Sequence, residues 1–155
     1  MYTVKNSKSC RGRDGIAYSC TLHRDGKKVA DVQNEGNGGE TRWDWVNAVE
    51  EKAFEEYALT QISTIGGEPE PMNPDMLIAS MLDGLETVKR IKRLSKKTML
   101  FSLKDDLEDG SIRTMKMPYS DEVRDMVLAR YGDRVKVIYD LNGEPIQLPV
   151  QKEAK

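Results

Sequence analysis

A glycine-rich loop is the first stretch of the sequence whose residues could do chemistry. Gly36-Asn37-Gly38-Gly39 offers backbone N–H groups that could converge on an anion, because glycine has no Cβ to obstruct them. Phosphate-binding loops of this type follow a strand and open a helix. This loop lies between two predicted strands, so we favour a mobile turn over a ligand-contacting loop.

A basic run at the end of the second predicted helix is the next candidate. Six cations fall within nine positions: Lys89, Arg90, Lys92, Arg93, Lys96 and Lys97. Helical spacing predicts a broad cationic outer face with Val88, Ile91 and Leu94 directed inward. Such a face could neutralise nucleic-acid phosphates. Cations also stabilise a helix C-terminus by about 0.3–1 kcal/mol each, and we favour that interpretation.

The acidic turn from Asp105 to Gly110 carries four carboxylates that could bind a divalent cation. Its spacing does not match the calcium-binding loop, so we predict a solvated hairpin tip. His23 is the only histidine, and we predict no special role for it. Cys10 and Cys20 are too few for a disulfide framework. The sequence therefore predicts no metal, no cofactor and no catalytic set.

Two tryptophans alternate just after the glycine loop. Trp43 and Trp45 could stack on a ligand or anchor a partner. The large apolar area of an indole predicts that at least one of them belongs to the core. The candidate binding residues are therefore the following: Gly36, Asn37, Gly38, Gly39, Trp43, Arg93, Lys96 and Lys97.

The elements that must position these residues begin with β-structure. Residues 2–5 predict a short strand, residues 6–13 a polar loop, and residues 16–23 an alternating strand. Arg24-Asp25-Gly26 predicts a hairpin turn.

The register of this hairpin depends on the length of its loop. A three-residue loop would pair Cys20 with Ala30, and a two-residue loop would set Cys20 against Asp31. We favour the first because it gathers one apolar face, consisting of Tyr18, Cys20, Leu22, Ala30 and Val32.

Three helices and a second set of strands follow. Asn47, Asn73 and Ser120 are predicted helix caps. The predicted inward stripes are Val46, Val49, Ala53, Phe54 and Tyr57 in the first helix, Leu77, Met81, Leu85, Val88 and Ile91 in the second, and Val123, Met126, Val127 and Tyr131 in the third.

The fold class predicted from these elements is α+β. An N-terminal antiparallel meander is followed by a helix, and then come a second helix and a ββαβ unit. The predicted organisation is a β-rich lobe over residues 1–65, a linker over 66–72, a second lobe over 73–150, and a frayed tail over 151–155.

Composition limits the classes of function. A chain of 155 residues suits one domain or two small lobes, and a net charge of −2 provides no overall attraction for nucleic acid or anionic membranes. No apolar run approaches the ~20 residues of a spanning helix, and the N-terminus lacks the pattern of a signal peptide. We therefore expect a soluble, cytoplasmic protein that does not contact a membrane.

Three segments resemble a known group of proteins. Residues 25–30 (DGKKVA) and 34–39 (NEGNGG), with 96–101 (KKTMLF), are similar to a pattern in small uncharacterised proteins of bacteriophages and bacterial mobile elements. The resemblance covers about a third of the chain and implies no reaction. It implies a phage-encoded accessory or counter-defence protein, located in the host cytoplasm.

Three functional hypotheses follow, in order of preference. The first is a non-catalytic protein that binds a host or phage protein. The second is nucleic-acid binding through the basic end of the second helix. The third is a small enzyme acting on a nucleotide or phosphoester, in which the glycine loop would hold the anion. The residues indicate no oligomeric state.

Overall fold

The structure is a computed structural model that describes residues 1–64, 68–106, 111–146 and 148. The chain forms two compact units, Met1–Gly84 and Leu85–Lys155. The division between them falls inside the second helix. Residues 66 and 67 of the predicted linker, residues 107–110 of the acidic turn and the tail at 151–155 lie outside the described residues.

The first unit is built on a four-stranded antiparallel sheet in the order β1-β2-β3-β4, which confirms the predicted meander. Its strands are β1 (Tyr2–Arg11), β2 (Ile16–Arg24), β3 (Lys27–Asn34) and β4 (Arg42–Trp45). The remaining elements of this unit are α1 (Ala48–Leu59), the short pair β5 (Ile62–Ser63) and β6 (Glu70–Pro71), and the first part of α2 (Pro74–Leu94).

The predicted hairpin register is wrong, although the predicted apolar face is correct. The turn contains two residues, Asp25 and Gly26, and both have positive φ, at 49° and 82°. Pairing then shifts within β3, so that Leu22 faces Ala30 and Cys20 faces Val32. The bulge in β3 shifts the pairing by one residue. Because side chains alternate with a period of two, the predicted residues still share one face, although each has a different partner across the hairpin.

Strand β1 is longer than predicted. The residues expected to form a polar loop continue the strand to Arg11, with an irregularity between Lys5 and Lys8 where Asn6 has a positive φ of 52°. Most of these side chains are exposed. β1 is an edge strand that pairs with β2 on one side only. Its backbone pairing does not require apolar side chains, so no alternating pattern was present in the sequence from which to predict it.

Helix α1 begins where the sequence predicted, and its predicted inward stripe is correct only in part. The Asn47 side chain accepts hydrogen bonds from the backbone N–H groups of Val49 and Glu50, both at 3.0 Å. Phe54 and Ala58 are buried, whereas Val49 is 74% exposed and Val46 is exposed as well. The predicted stripe was therefore right at Phe54 and wrong at its N-terminal end, where Val46 precedes the helix and Val49 faces solvent.

The second unit confirms the predicted ββαβ order and adds one short strand. Its elements after α2 are β7 (Met99–Leu103), β8 (Arg113–Met115), α3 (Asp121–Tyr131), β9 (Val135–Tyr139) and β10 (Pro145–Ile146). The sheet order is β10-β9-β7-β8, so β7 is central and pairs antiparallel with β9. Together, the two units confirm the α+β class.

Helix α3 covers this second sheet. The Ser120 hydroxyl accepts a hydrogen bond from the Val123 N–H, and Gly132 ends the helix at a φ of 56°. The core cluster consists of Met99, Phe101, Leu103, Val123, Val127, Val135 and Ile138. Met126 was predicted to point inward but is exposed, because Val123 and Val127 already occupy the buried side of the helix.

The carboxylates in the described part of the acidic turn form ion pairs with arginines. Asp106 accepts two hydrogen bonds from the Arg113 guanidinium, at 2.8 and 2.9 Å, and one from the Leu103 N–H. These contacts lower the pKa of Asp106 to about 2. Asp105 pairs with Arg134. Both carboxylates therefore have cationic partners within their own unit.

Candidate functional site

A cleft between β4, α1 and the start of α2 is the strongest candidate site of the first unit, and we call it the tryptophan cleft. Its volume is about 380 Å³, within the range of ligand pockets. The residues that line it are Glu40, Thr41, Trp43, Trp45, Glu51, Glu55, Asn73, Pro74 and Asp75.

The aromatic wall of the cleft follows from strand geometry. Trp43 and Trp45 are two residues apart in β4 and therefore project from the same face of the sheet. Their indoles stack almost parallel, with ring centroids 5.0 Å apart and planes inclined by 3°. Both rings pack against Phe54 of α1, at centroid distances of 5.6 and 5.8 Å. Their backs are buried, while the two indoles remain partly exposed to the cleft.

The start of α2 fixes one of the indoles. Asn73 caps the helix by accepting a hydrogen bond from the Met76 N–H at 2.8 Å. This places Asp75 in the first turn, where its carboxylate accepts the Trp43 indole N–H at 2.9 Å. A hydrogen bond to the indole nitrogen orients the ring as well as satisfying its donor. Asp75 is thus a positioning residue for the aromatic wall.

Three other carboxylates at the cleft have no cationic partner in the part of the chain that the structure describes. Glu51 and Glu55 are exposed and lie one helical turn apart on α1, and Glu40 lies at the end of the glycine loop. Throughout the described residues, none of the three forms an ion pair, whereas their neighbour Glu50 is paired with Arg24 at 3.0 Å. The cleft therefore combines two indoles with uncompensated negative charge.

The glycine loop serves the packing of the sheet. Gly36 is buried with a φ of 63°; it donates to the Asn34 side chain at 2.8 Å and accepts from the Asp14 N–H at 2.8 Å. Gly39 donates to the Asn37 side chain at 3.0 Å. Two of the N–H groups proposed to hold an anion thus bond to neighbouring side chains, Asn34 at the end of β3 and Asn37 in the loop.

The basic end of α2 is the second exposed surface with an unusual charge. Lys92 pairs with Glu144 at 3.1 Å, and Lys89 pairs with Glu86 at 2.8 Å. The remaining cations of the run are exposed and form no ion pair with any residue that the structure describes; they are Arg90, Arg93, Lys96 and Lys97.

The face predicted to be buried near the end of α2 is confirmed at Ile91 and wrong at its neighbours Val88 and Leu94. Ile91 and Ser95 are buried, and the Ser95 hydroxyl donates to the Leu141 carbonyl at 3.3 Å. Val88 and Leu94 were predicted to point inward but are 48% and 38% exposed. The turn that contains Leu141 and Gly143 packs against this end of the helix and determines which side is buried. That contact is distant in sequence, so the spacing of apolar residues in the helix does not predict it.

The structure thus separates the residues that the sequence grouped as candidates. Trp43 lies in the tryptophan cleft, the four residues of the glycine loop precede its rim, and Arg93, Lys96 and Lys97 belong to the second unit. Sequence reasoning missed Glu51, Glu55 and Asp75. Their surplus of negative charge beside two tryptophans was visible, but the fold was needed to bring them together.

Cys20 and His23 both have structural surroundings. Burial raises the pKa of the Cys20 thiol to about 11, so it is protonated at neutral pH. The His23 ring lies within hydrogen-bond distance of the Thr21 hydroxyl and the Gly26 carbonyl of its own hairpin, at 3.1 and 3.3 Å. Within the described ranges, no group of three metal-ligating side chains is placed to hold an ion.

Comparison with known proteins adds no relative. No family model, curated protein or solved structure matches the chain. Among its described helices, none is both long and apolar enough to cross a membrane. The fold and the cleft therefore define a small α+β protein with an exposed aromatic and acidic site, and its function has to be argued from that site.

Proposed function

We propose that this chain is a non-catalytic binding protein that acts by occupying the surface of another protein through the tryptophan cleft. The observation that carries the proposal is the pair of partly exposed, stacked indoles beside Glu51 and Glu55, which have no ion-pair partner among the described residues. Tryptophans of this kind dominate the binding energy of protein interfaces, particularly where they sit in a well-packed pocket.

The surroundings of the indoles suit a contact surface. Phe54, which is fully buried, supports both rings from behind, and Asp75 fixes the orientation of Trp43. A preorganised aromatic pair loses little conformational entropy when a partner covers it. The carboxylates at the rim would speed association with a basic partner and select against an acidic one.

We also propose that this activity takes place in the host cytoplasm, with a host or phage protein as the partner; the resemblance of residues 25–30 and 34–39 to bacteriophage proteins supports this. A small protein of this class would inhibit a defence factor by covering the surface that the factor needs. No chemistry of its own is required for that effect.

Replacing both Glu51 and Glu55 by glutamine is expected to reduce capture of the partner from host lysate at least several-fold, because both rim charges are lost. The matched control is Glu68→Gln with Asp83→Asn, which removes the same charge from exposed positions outside the cleft. Quantitative mass spectrometry of captured proteins at low salt measures the difference. Equal capture by both variants and the parent chain would show that the partner does not bind through the cleft.

Nucleic-acid binding through the basic end of α2 is the second candidate. It is favoured by one observation, the four exposed cations that have no partner in the described part of the chain. The unit that contains them, Leu85–Lys155, carries 15 lysines and arginines against 12 aspartates and glutamates, so its own charge is positive although that of the whole chain is not. Contacts with phosphates would depend steeply on salt.

The variant Lys96→Glu with Lys97→Glu tests this candidate. If both lysines contact phosphates, binding to a labelled DNA duplex weakens and the slope of log K against log salt falls by about 2. Fluorescence anisotropy over a range of salt concentrations measures both quantities. Lys5→Glu with Lys8→Glu is the control, since those lysines are exposed on β1. An unchanged slope in the first variant would eliminate the candidate.

A further inference from the structure

We infer that the tryptophan cleft binds the guanidinium group of an arginine side chain that the partner protein supplies. This inference rests on the proposed function and names the chemistry of the partner. A partner that presents a basic segment fits the cleft, and a partner that presents an acidic surface does not.

The charge of the cleft identifies a cation. Glu40, Glu51 and Glu55 have no cationic partner in the described structure, and Asp75 uses its carboxylate to hold an indole. The unit around them, Met1–Gly84, contains 14 acidic against 9 basic residues, so no surplus of nearby cations offsets the field. The π-faces of indole rings attract cations within about 6 Å, and tryptophan does so best among the aromatic residues.

The shape of the wall favours arginine over lysine. The two indoles are stacked, with planes parallel to within 3° and ring centroids 5.0 Å apart, so the outer faces of the pair are the planar surfaces on which a flat group can stack. A guanidinium group is planar, stacks on aromatic faces and is weakly hydrated, whereas an ammonium group is a compact and strongly hydrated charge. The guanidinium fork can also donate to carboxylates while it stacks. Glu51 and Glu55, one turn apart on α1, stand beside the rings to accept such bonds.

The chain carries its own reporter for this test. Trp43 and Trp45 are its only tryptophans and both line the cleft, so fluorescence excited selectively at tryptophan reports on the cleft. The probe is the peptide acetyl-Gly-Arg-Gly-Arg-Gly-amide, titrated into the full chain at low salt. Matched peptides carry lysine or citrulline in place of arginine; citrulline keeps the shape of the side chain and removes its charge.

The expected result is a saturable fluorescence change with the arginine peptide, a weaker one with the lysine peptide and none with the citrulline peptide. Glu51→Gln with Glu55→Gln should weaken binding of the arginine peptide roughly fivefold, since each exposed ion pair contributes a factor of about 1.4 to 5 to the binding constant. The control variant Glu68→Gln with Asp83→Asn should bind the arginine peptide as the parent chain does.

Two results would overturn the inference. One is the absence of any saturable change with the arginine peptide at millimolar concentration. The other is equal binding of the citrulline peptide, which would make the contact apolar. If either occurs while the Glu51 and Glu55 variant still loses its captured protein, the proposed function stands and only the assignment of arginine fails. If capture is also unaffected, both fail.

Discussion

Replacing Phe54 by alanine is expected to lower the free energy of unfolding of the first unit by about 3–5 kcal/mol. Phe54 is fully buried and contacts four aromatic rings, those of Tyr2, Trp43, Trp45 and Tyr57. Truncation removes the apolar area and leaves a cavity that large, rigid rings fill poorly. Urea unfolding followed by tryptophan fluorescence measures the change, because both tryptophans belong to this unit.

The control for this prediction is Val49→Ala in the same helix. Val49 was expected to be in the core from its spacing, but it is 74% exposed. Its truncation should change the free energy of unfolding by no more than about 0.5 kcal/mol. A loss at Val49 as large as that at Phe54 would mean that α1 packs with a different face from the one described here.

Replacing Gly36 by alanine is expected to cost about 3 kcal/mol of stability, from two sources. The positive φ of 63° costs a residue with a Cβ roughly 1–2 kcal/mol. The new Cβ would also lie 2.5 Å from the Ala17 backbone nitrogen, and overpacking of this kind costs typically about 1–3 kcal/mol. The same urea titration measures it.

Gly38→Ala separates these two sources. Gly38 also has a positive φ, at 80°, but a Cβ there would meet nothing within 4 Å. Only the cost of the positive φ remains, so the free energy of unfolding is expected to fall by about 1–2 kcal/mol. If the two variants were equally destabilised, the close packing of Gly36 against β2 would be contradicted.

The parts of the fold that were predictable are those decided by a few neighbouring residues. The helix caps at Asn47, Asn73 and Ser120 satisfy backbone groups locally, so their sequence signature suffices. The position of the hairpin turn was likewise predictable from Asp25 and Gly26, although its length was not. The alternation in β2 likewise identified a buried face. Such features do not depend on what the rest of the chain does.

The parts that were not predictable depend on distant contacts. The strand register was changed by a bulge in β3, and the buried face of α1 was selected by aromatic rings that β1 and β4 supply. The apolar spacing predicted that Val46 and Val49 would be buried, but both are exposed. Periodicity shows that a helix has an apolar side, while the neighbouring elements decide which side is covered.

The candidate site shows the same limit. Trp43 was identified from its residue type, but Asp75 lies 32 residues further along the chain, and only the folded first unit brings its carboxylate to the indole nitrogen. Glu51 and Glu55 looked like ordinary solvated helix residues. Their significance depends on which face of α1 lies beside the tryptophans, and that is the feature the sequence did not reveal.

Site-specific photocrosslinking tests most directly whether the partner protein covers the tryptophan cleft. A photoreactive benzoylphenylalanine would be placed at position 41, which lines the cleft and keeps its carboxylates, or at position 83, which is exposed and outside it. Each chain would be irradiated with its captured partner. The proposed function predicts a crosslink to the partner from position 41 and none from position 83. A crosslink from position 83 with none from position 41 would contradict it.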